Sequence, residues 1–124
     1  MHPNQRNNEE HKIQSRFTTW LKDTKIWYNH TCFATPNGGA RTEATGAALK
    51  REGVRAGIPD YTICAARDGF HGLFIEFKSS TGRVQDNQKV VIARLRKDGY
   101  RVEVCKSTQA AIDIVTGYLK KGTK

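Results

Sequence analysis

The segment from Asp60 to Ser79 constrains the fold most, because it has the pattern of one antiparallel hairpin. Two β-favouring runs, residues 60–66 and 72–79, flank an Asp-Gly dipeptide, which is typical of a tight hairpin turn. In the second run Glu76 and Lys78 are two residues apart and share one face, while Ile75 and Phe77 point to the other. Antiparallel pairing is expected to bring Asp60 close to Glu76 and Lys78.

The other segments predict helices and further strands around this hairpin. Ile13, Phe17, Trp20 and Leu21 have the spacing of one helix face, so residues 9–23 are predicted as a helix. Further predictions are a strand over 26–34, helices over 42–51, 86–97 and 108–119, and a strand over 100–105. The order α-β-α-β-β-α-β-α predicts an α/β fold, a mixed sheet flanked by helices. One domain is expected over residues 9–119, with flexible polar or basic tails at 1–8 and 120–124.

Charge narrows the function classes. The chain has 124 residues, with 21 Lys and Arg against 12 Asp and Glu, a net charge of +9. Such a field favours a polyanion such as DNA or RNA, although a merely soluble basic surface would look the same. No apolar run is long enough to cross a bilayer, and the N-terminus lacks the apolar stretch of a signal peptide, so a cytoplasmic location is expected.

The remaining special residues predict structural roles. Cys32, Cys64 and Cys105 are far apart, odd in number and without a Cys-x-x-Cys pair, so each is expected to be a small buried hydrophobe rather than a zinc ligand or half of a disulfide. Trp20 and Trp27 are expected in the core rather than as platforms for nucleic-acid bases.

The hairpin carries the candidate chemistry. Two converging carboxylates, Asp60 and Glu76, are the hard oxygen ligands that Mg²⁺ or Mn²⁺ prefers. Such an ion activates water for phosphodiester hydrolysis, and Lys78 could position that water or stabilise developing charge. The alternative is an exposed strand pair with a weak salt bridge, which is the better interpretation of Glu-x-Lys alone. With Pro59-Asp60 upstream and a charge of +9, the two interpretations become equally good.

The sequence also resembles a known nuclease family. It is similar to the VRR-NUC (virus-type replication-repair nuclease) domain of the PD-(D/E)xK superfamily, in its stand-alone form. The resemblance covers residues 9–119. The matching segments, in chain order, are Glu10 with Gln14, Asn37-Gly38-Gly39 with Arg41, residues 53–60, the strand 73–78, Gly82-Arg83 with Gln88, and residues 99–102.

The resemblance implies a restriction-endonuclease-like fold and a Mg²⁺-dependent endodeoxyribonuclease, with Mn²⁺ able to substitute. It implies Asp60 and Glu76 as metal ligands and Lys78 as the catalytic lysine. Glu10 would be an additional acid at the metal, although Glu9 fits nearly as well and a helix-dipole role is equally open. Gln88 would line the site. Where the family has a helix-capping Ser, this chain has Gln85, so Asp86 is an alternative cap.

Partners are also implied by the resemblance. Arg41, Lys50, Arg51 and Arg55 are the candidate contacts to DNA phosphates, with solvated surface charge as the alternative. Stand-alone members are expected to act as homodimers on branched DNA such as four-way junctions, and to be encoded by phage or prophage. The competing hypotheses are a non-catalytic or partner-dependent DNA-binding module on the same fold and an RNA-directed protein. The latter would normally bring an aromatic RNA-binding strand or an Arg-Gly-rich tail.

Overall fold

The computed structural model describes residues 8–36 and 43–124. Over these residues the helices are α1 (Asn8–Asp23), α2 (Ile26–Asn29), α3 (Glu43–Glu52), α4 (Asp86–Lys97) and α5 (Thr108–Lys120). The strands are β1 (Cys32–Ala34), β2 (Tyr61–Ile63), β3 (Leu73–Phe77) and β4 (Arg101–Cys105). The predicted mixed α/β architecture is confirmed.

The four strands form one mixed sheet in the order β1-β2-β3-β4. β1 and β2 pair antiparallel, as do β2 and β3, whereas β3 and β4 are parallel. The predicted hairpin turn is present, because Arg67 and Phe70 exchange two backbone hydrogen bonds of 2.8 and 3.2 Å. Asp68 and Gly69 between them both have positive φ, of 52° and 83°, as a two-residue hairpin with right-handed strand twist requires.

One face of the sheet, here called the core face, packs against α1 and α5. The predicted stripe of α1 is confirmed: Ile13, Phe17 and Leu21 are buried and Trp20 packs beside them. The Phe17 ring lies 5.1 Å from Tyr61 and 5.5 Å from Phe77, measured between centroids. The strands and α5 supply the rest of this core, namely Cys32, Ile63, Ala65, Leu73, Ile75, Cys105, Ala111, Val115 and Tyr118.

The opposite face carries the alternate residues of the same strands and is here called the site face. α4 connects the parallel strands β3 and β4 and buries Ile92, while its predicted apolar residues Val90 and Ala93 are exposed. The helix begins at Asp86, as predicted, and its N-cap is Gln85 rather than Asp86. Gln88 Oε1 accepts a hydrogen bond of 2.8 Å from the Gln85 N–H, which closes the first turn.

The predicted strand over 26–34 is wrong in its first half. Residues Ile26–Asn29 form one helical turn, and only Cys32–Ala34 are extended. The chain leaves α1 through Lys25 in the left-handed conformation, with φ 67°. The turn that follows lets the neighbours Ile26 and Trp27 both pack against the core, whereas a strand would send them to opposite faces. Trp27 is therefore partly buried and packs against the core.

The cysteines divide into two classes. Burial raises the pKa of Cys32 to about 11 and that of Cys105 to about 11, so both remain protonated thiols at neutral pH. Cys64 is exposed, so its expected burial is wrong. It comes directly after β2, one residue after buried Ile63, and alternation sends it to the open side. Within residues 8–36 and 43–124, no helix is long and apolar enough to span a membrane.

Candidate active site

Three ionisable side chains are buried together on the site face. Asp60, Glu76 and Lys78 are 4%, 3% and 7% exposed. Alternation along the hairpin explains the grouping, since Tyr61, Ile75 and Phe77 occupy the core face. Tyr61 pairs with Ile75, so the same register places Asp60 opposite Glu76. Burial of three charges is costly unless they pair or bind a ligand.

Asp60 is held by both neighbouring strands. Its backbone carbonyl accepts the Thr35 N–H at 2.8 Å. Its Oδ2 accepts the Phe77 N–H at 2.8 Å, so the carboxylate occupies the place of a backbone acceptor. Pro59, buried just before it, has no N–H to donate, so the backbone ladder between β2 and β3 does not continue past Asp60 in full. The carboxylate is thereby fixed at the end of β3.

Glu76 is the centre of the polar contacts. Its Oε2 lies 3.3 Å from the Lys78 ammonium. The same oxygen accepts a hydrogen bond of 3.0 Å from Gln88 Nε2. Gln88 therefore uses its oxygen to cap α4 and its nitrogen to contact Glu76, so the structure brings these two predicted site residues together.

Gly57 fixes α4 against the segment that leads to Asp60. Its φ is 84°, in the region that favours glycine. A Cβ there would lie 2.9 Å from the Asn87 carbonyl oxygen and 3.3 Å from Val91 Cγ2. The close backbone approach at Gly57 is made to the first turn of α4, one residue before Gln88.

Both acids at the start of α1 reach the turn that follows Lys78. Glu10 Oε2 lies 3.4 Å from the Ser79 N–H, and Glu9 Oε1 accepts the Ser80 N–H at 3.0 Å. Both Glu9 and Glu10, and not only one of them, therefore approach the site, because the two carboxylates contact successive backbone N–H groups. They tie the first helix to the carboxyl end of β3.

The donor set suits a hard divalent cation through two carboxylates. Asp60 and Glu76 with one Lys leave a net negative charge in a buried site, and carboxylate oxygens are what Mg²⁺ prefers. Across residues 8–36 and 43–124, no group of three or more His, Cys, Asp or Glu side chains is close enough to hold a metal ion. The expected three-acid set of Asp60, Glu76 and Glu10 is therefore not assembled in this structure.

The candidate DNA contacts lie in one connected segment. Lys50 and Arg51 end α3, and both they and Arg55 are exposed. The segment runs on through Gly57 to Asp60, so these cations precede the site along the chain. Arg41 and the glycine loop 37–39 fall outside the described residues.

Sequence reasoning missed one further cation. Phe77 pairs with Cys105 in the parallel register, and Lys78 N–H donates to the Cys105 carbonyl at 3.0 Å. Lys106, the next residue, is exposed and continues the alternation that puts Val104 on the site face beside Glu76. The available signal was the pairing of β3 with β4, which a sequence pattern alone does not supply.

Comparison with known proteins agrees with this geometry. A family model described as the VRR-NUC domain matches residues 5–109. A solved structure described as a "VRR_NUC domain protein" is 31% identical, and the match covers 94% of this chain and 93% of that chain with a TM-score of 0.78. The comparison with curated proteins gives no match.

Proposed function

The chain belongs to the VRR-NUC domain family, a nuclease-type DNA-processing domain, and we propose that it is a metal-dependent endonuclease that cuts branched DNA. The observation that supports this most is the burial of Asp60, Glu76 and Lys78 on one sheet face. Two neighbouring carboxylates suit a metal ion that activates water, so hydrolysis by an activated water fits this group better than a covalent intermediate.

The roles follow from the contacts. Asp60 and Glu76 would hold a Mg²⁺ or Mn²⁺ ion, which supplies a water of lowered pKa and a positive charge facing the phosphodiester. Lys78, whose ammonium lies 3.3 Å from Glu76, would orient the attacking water and stabilise charge developing on the phosphate. Gln88 keeps Glu76 in one orientation through its 3.0 Å hydrogen bond. Glu9 and Glu10 hold the turn after Lys78. We propose Glu10 as a metal ligand only in addition to Asp60 and Glu76.

Substrate binding would use cations from several segments of the chain. Arg41, Lys50, Arg51, Arg55 and Lys106 are candidates for phosphate contacts, and the net charge of +9 favours DNA at long range. We further propose a homodimer, because two symmetric active sites match a two-fold substrate such as a four-way junction. By family resemblance, the protein would act in the cytoplasm of a bacterial host and be encoded by a phage or prophage.

Cleavage of labelled four-way junction, flap, fork and linear duplex DNA, with Mg²⁺, Mn²⁺ or EDTA, tests this function. We expect metal-dependent cutting of the branched substrates and none in EDTA. Lys78→Ala should abolish it, because the ammonium 3.3 Å from Glu76 is lost. Lys120→Ala, at the exposed end of α5, is the matched control and should cut normally.

Three results would contradict the proposal. Binding of all four DNAs without cutting in either metal would favour the non-catalytic or partner-dependent DNA-binding module. Cutting that continues unchanged in EDTA would exclude a metal-dependent mechanism. Cutting that continues unchanged in Lys78→Ala would exclude Lys78 from the mechanism.

A further inference from the structure

An exposed aromatic ring lies on the site face at the edge of the sheet. Phe33 is the central residue of β1, and its side chain is 45% exposed. Its neighbour Cys32 belongs to the core face, so alternation directs Phe33 to the side that carries Asp60 and Glu76. The pairing of Phe33 with Thr62, which in turn pairs with Phe74, places it in a row of that face.

The register puts this ring close to the proposed catalytic group. Thr35 N–H donates to the Asp60 carbonyl, so Thr35 lies opposite Asp60. Phe33 is two residues earlier on the same side of β1. With a rise of ~3.3 Å per residue and a strand spacing of ~4.8 Å, its Cα lies about 8 Å from that of Asp60. A ring at this distance would reach nucleotides that flank a phosphate bound near the Asp60 and Glu76 pair.

Two of the exposed large hydrophobic residues lie on the site face. Five such residues are exposed in the described part of the chain: Tyr28, Phe33, Val54, Val90 and Val104. Val104 on β4 pairs with Glu76, so Phe33 and Val104 flank the polar residues from the two outer strands. An exposed aromatic ring beside a buried polar site is a candidate contact residue.

The chemistry of the occupant follows from ring and charge together. A net charge of +9, with exposed Lys106 directly after β4, favours a polyanion over a protein partner. A flat aromatic ring stacks on nucleobases without sequence preference. Inside a continuous duplex each base face is covered by its neighbour, so such a ring finds a free face only where the stack is interrupted.

We propose that Phe33 stacks on a nucleobase next to the scissile phosphate and thereby selects DNA whose base stack is broken. This rests on the proposed function only in that DNA occupies the site face. It supplies a physical reason for a preference for branched DNA that does not depend on a dimer. A linear duplex would bind through its phosphates alone.

The test measures binding in EDTA, so it does not depend on cleavage. The probes are a four-way junction and a linear duplex of the same length and composition. Phe33→Ala and Phe33→Leu should weaken junction binding about fivefold to a hundredfold, the range expected for loss of one stacked base, and change duplex binding less than about twofold. Phe33→Trp retains a flat ring and should bind as the unmodified protein does.

Tyr28→Ala is the matched control. It removes a more exposed aromatic side chain, 72% exposed, from α2 and should leave both affinities unchanged. Equal loss on junction and duplex, no loss on either, or the same loss in Tyr28→Ala would overturn the proposal. If Phe33→Ala fails to fold, the contrast between Leu and Trp decides. Selective junction binding through Phe33 without cutting in metal would leave this inference standing while the proposed function fails.

Discussion

The core face and the site face are built from alternate residues of the same strands, yet they bury opposite chemistries. On β3 the side chains of Ile75 and Phe77 are fully buried in an apolar layer. Glu76, between these two residues, and Lys78, directly after Phe77, are ionisable side chains that are almost equally buried. Apolar burial stabilises the fold by about 25 cal/mol per Å², whereas burial of charge opposes folding unless partners compensate.

The contrast indicates that the core face determines stability and the site face determines activity. α1 and α5 cover the core face, and stability is expected to depend on that contact. The site face has α4 over part of its width and leaves Phe33 and Val104 exposed on the outer strands. The prediction is that substitutions on one face lower the free energy of unfolding, while substitutions on the other lower the cleavage rate.

Asp60→Asn should have the largest effect, a loss of function without a loss of stability. The amide oxygen can still accept the 2.8 Å hydrogen bond from Phe77 N–H, and the Glu76–Lys78 pair then stands without a second negative charge. Unfolding stability should stay the same or rise, because a buried charge is removed. The cleavage rate should fall by at least about a thousandfold, at or above the 10²–10³ typical of one lost electrostatic contact.

Cleavage kinetics and thermal unfolding of the same preparation check this. Asp113→Asn, which makes the same change on exposed α5, is the control and should alter neither. A variant that cuts within tenfold of the unmodified rate would exclude Asp60 as a metal ligand. A large drop in the unfolding temperature would show that its charge contributes to the fold.

Leu21→Ala should produce the complementary result. Leu21 is fully buried near the end of α1 and belongs to the core face. Removing its side-chain carbons should lower the free energy of unfolding by about 2–5 kcal/mol through lost burial and the cavity left behind. The cleavage rate of the folded fraction should stay close to normal at a temperature where the variant is native. Denaturant unfolding and single-turnover cleavage measure the two quantities. A cleavage rate that falls together with stability would contradict the assignment of stability and activity to different faces.

Much of the division between core face and site face was predictable from the sequence, because it depends on the two-residue alternation of side chains along a strand. The alternation at residues 75–78 predicted both faces of β3, and the Asp-Gly turn predicted the hairpin that brings Asp60 opposite Glu76. The helix over 86–97 was predicted with its observed bounds. These features are local, so a short window of residues is enough to determine them.

The errors arose where tertiary packing decides. Residues Ile26–Asn29 have the β-favouring composition of a strand, but the core beside α1 takes Ile26 and Trp27 together through a helical turn. Cys64 has apolar neighbours, yet it lies one residue past the covered part of β2 and is exposed. Lys106 and the two-acid contact of Glu9 and Glu10 need the pairing of distant segments, which no local pattern contains.

Gly57→Ala tests whether the position of α4 controls the site, and it should change the cleavage rate less than Asp60→Asn does. The substitution combines a strained φ of 84° with a Cβ 2.9 Å from the Asn87 carbonyl oxygen. We expect a loss of about 1–3 kcal/mol in unfolding free energy. The cleavage rate should fall about 10- to 100-fold, because α4 must shift and carry Gln88 away from Glu76.

Gly53→Ala separates backbone strain from the contact with α4. Gly53 also has a positive φ, of 105°, but a Cβ there meets nothing within 4 Å. It should therefore lose a similar or smaller amount of stability and keep its cleavage rate. Equal cleavage rates in the two variants would mean that the position of α4 does not control the site, and that Gln88 is only a helix cap. A lower rate in Gly57→Ala alone would show that one close backbone approach transmits packing on α4 to the orientation of Glu76.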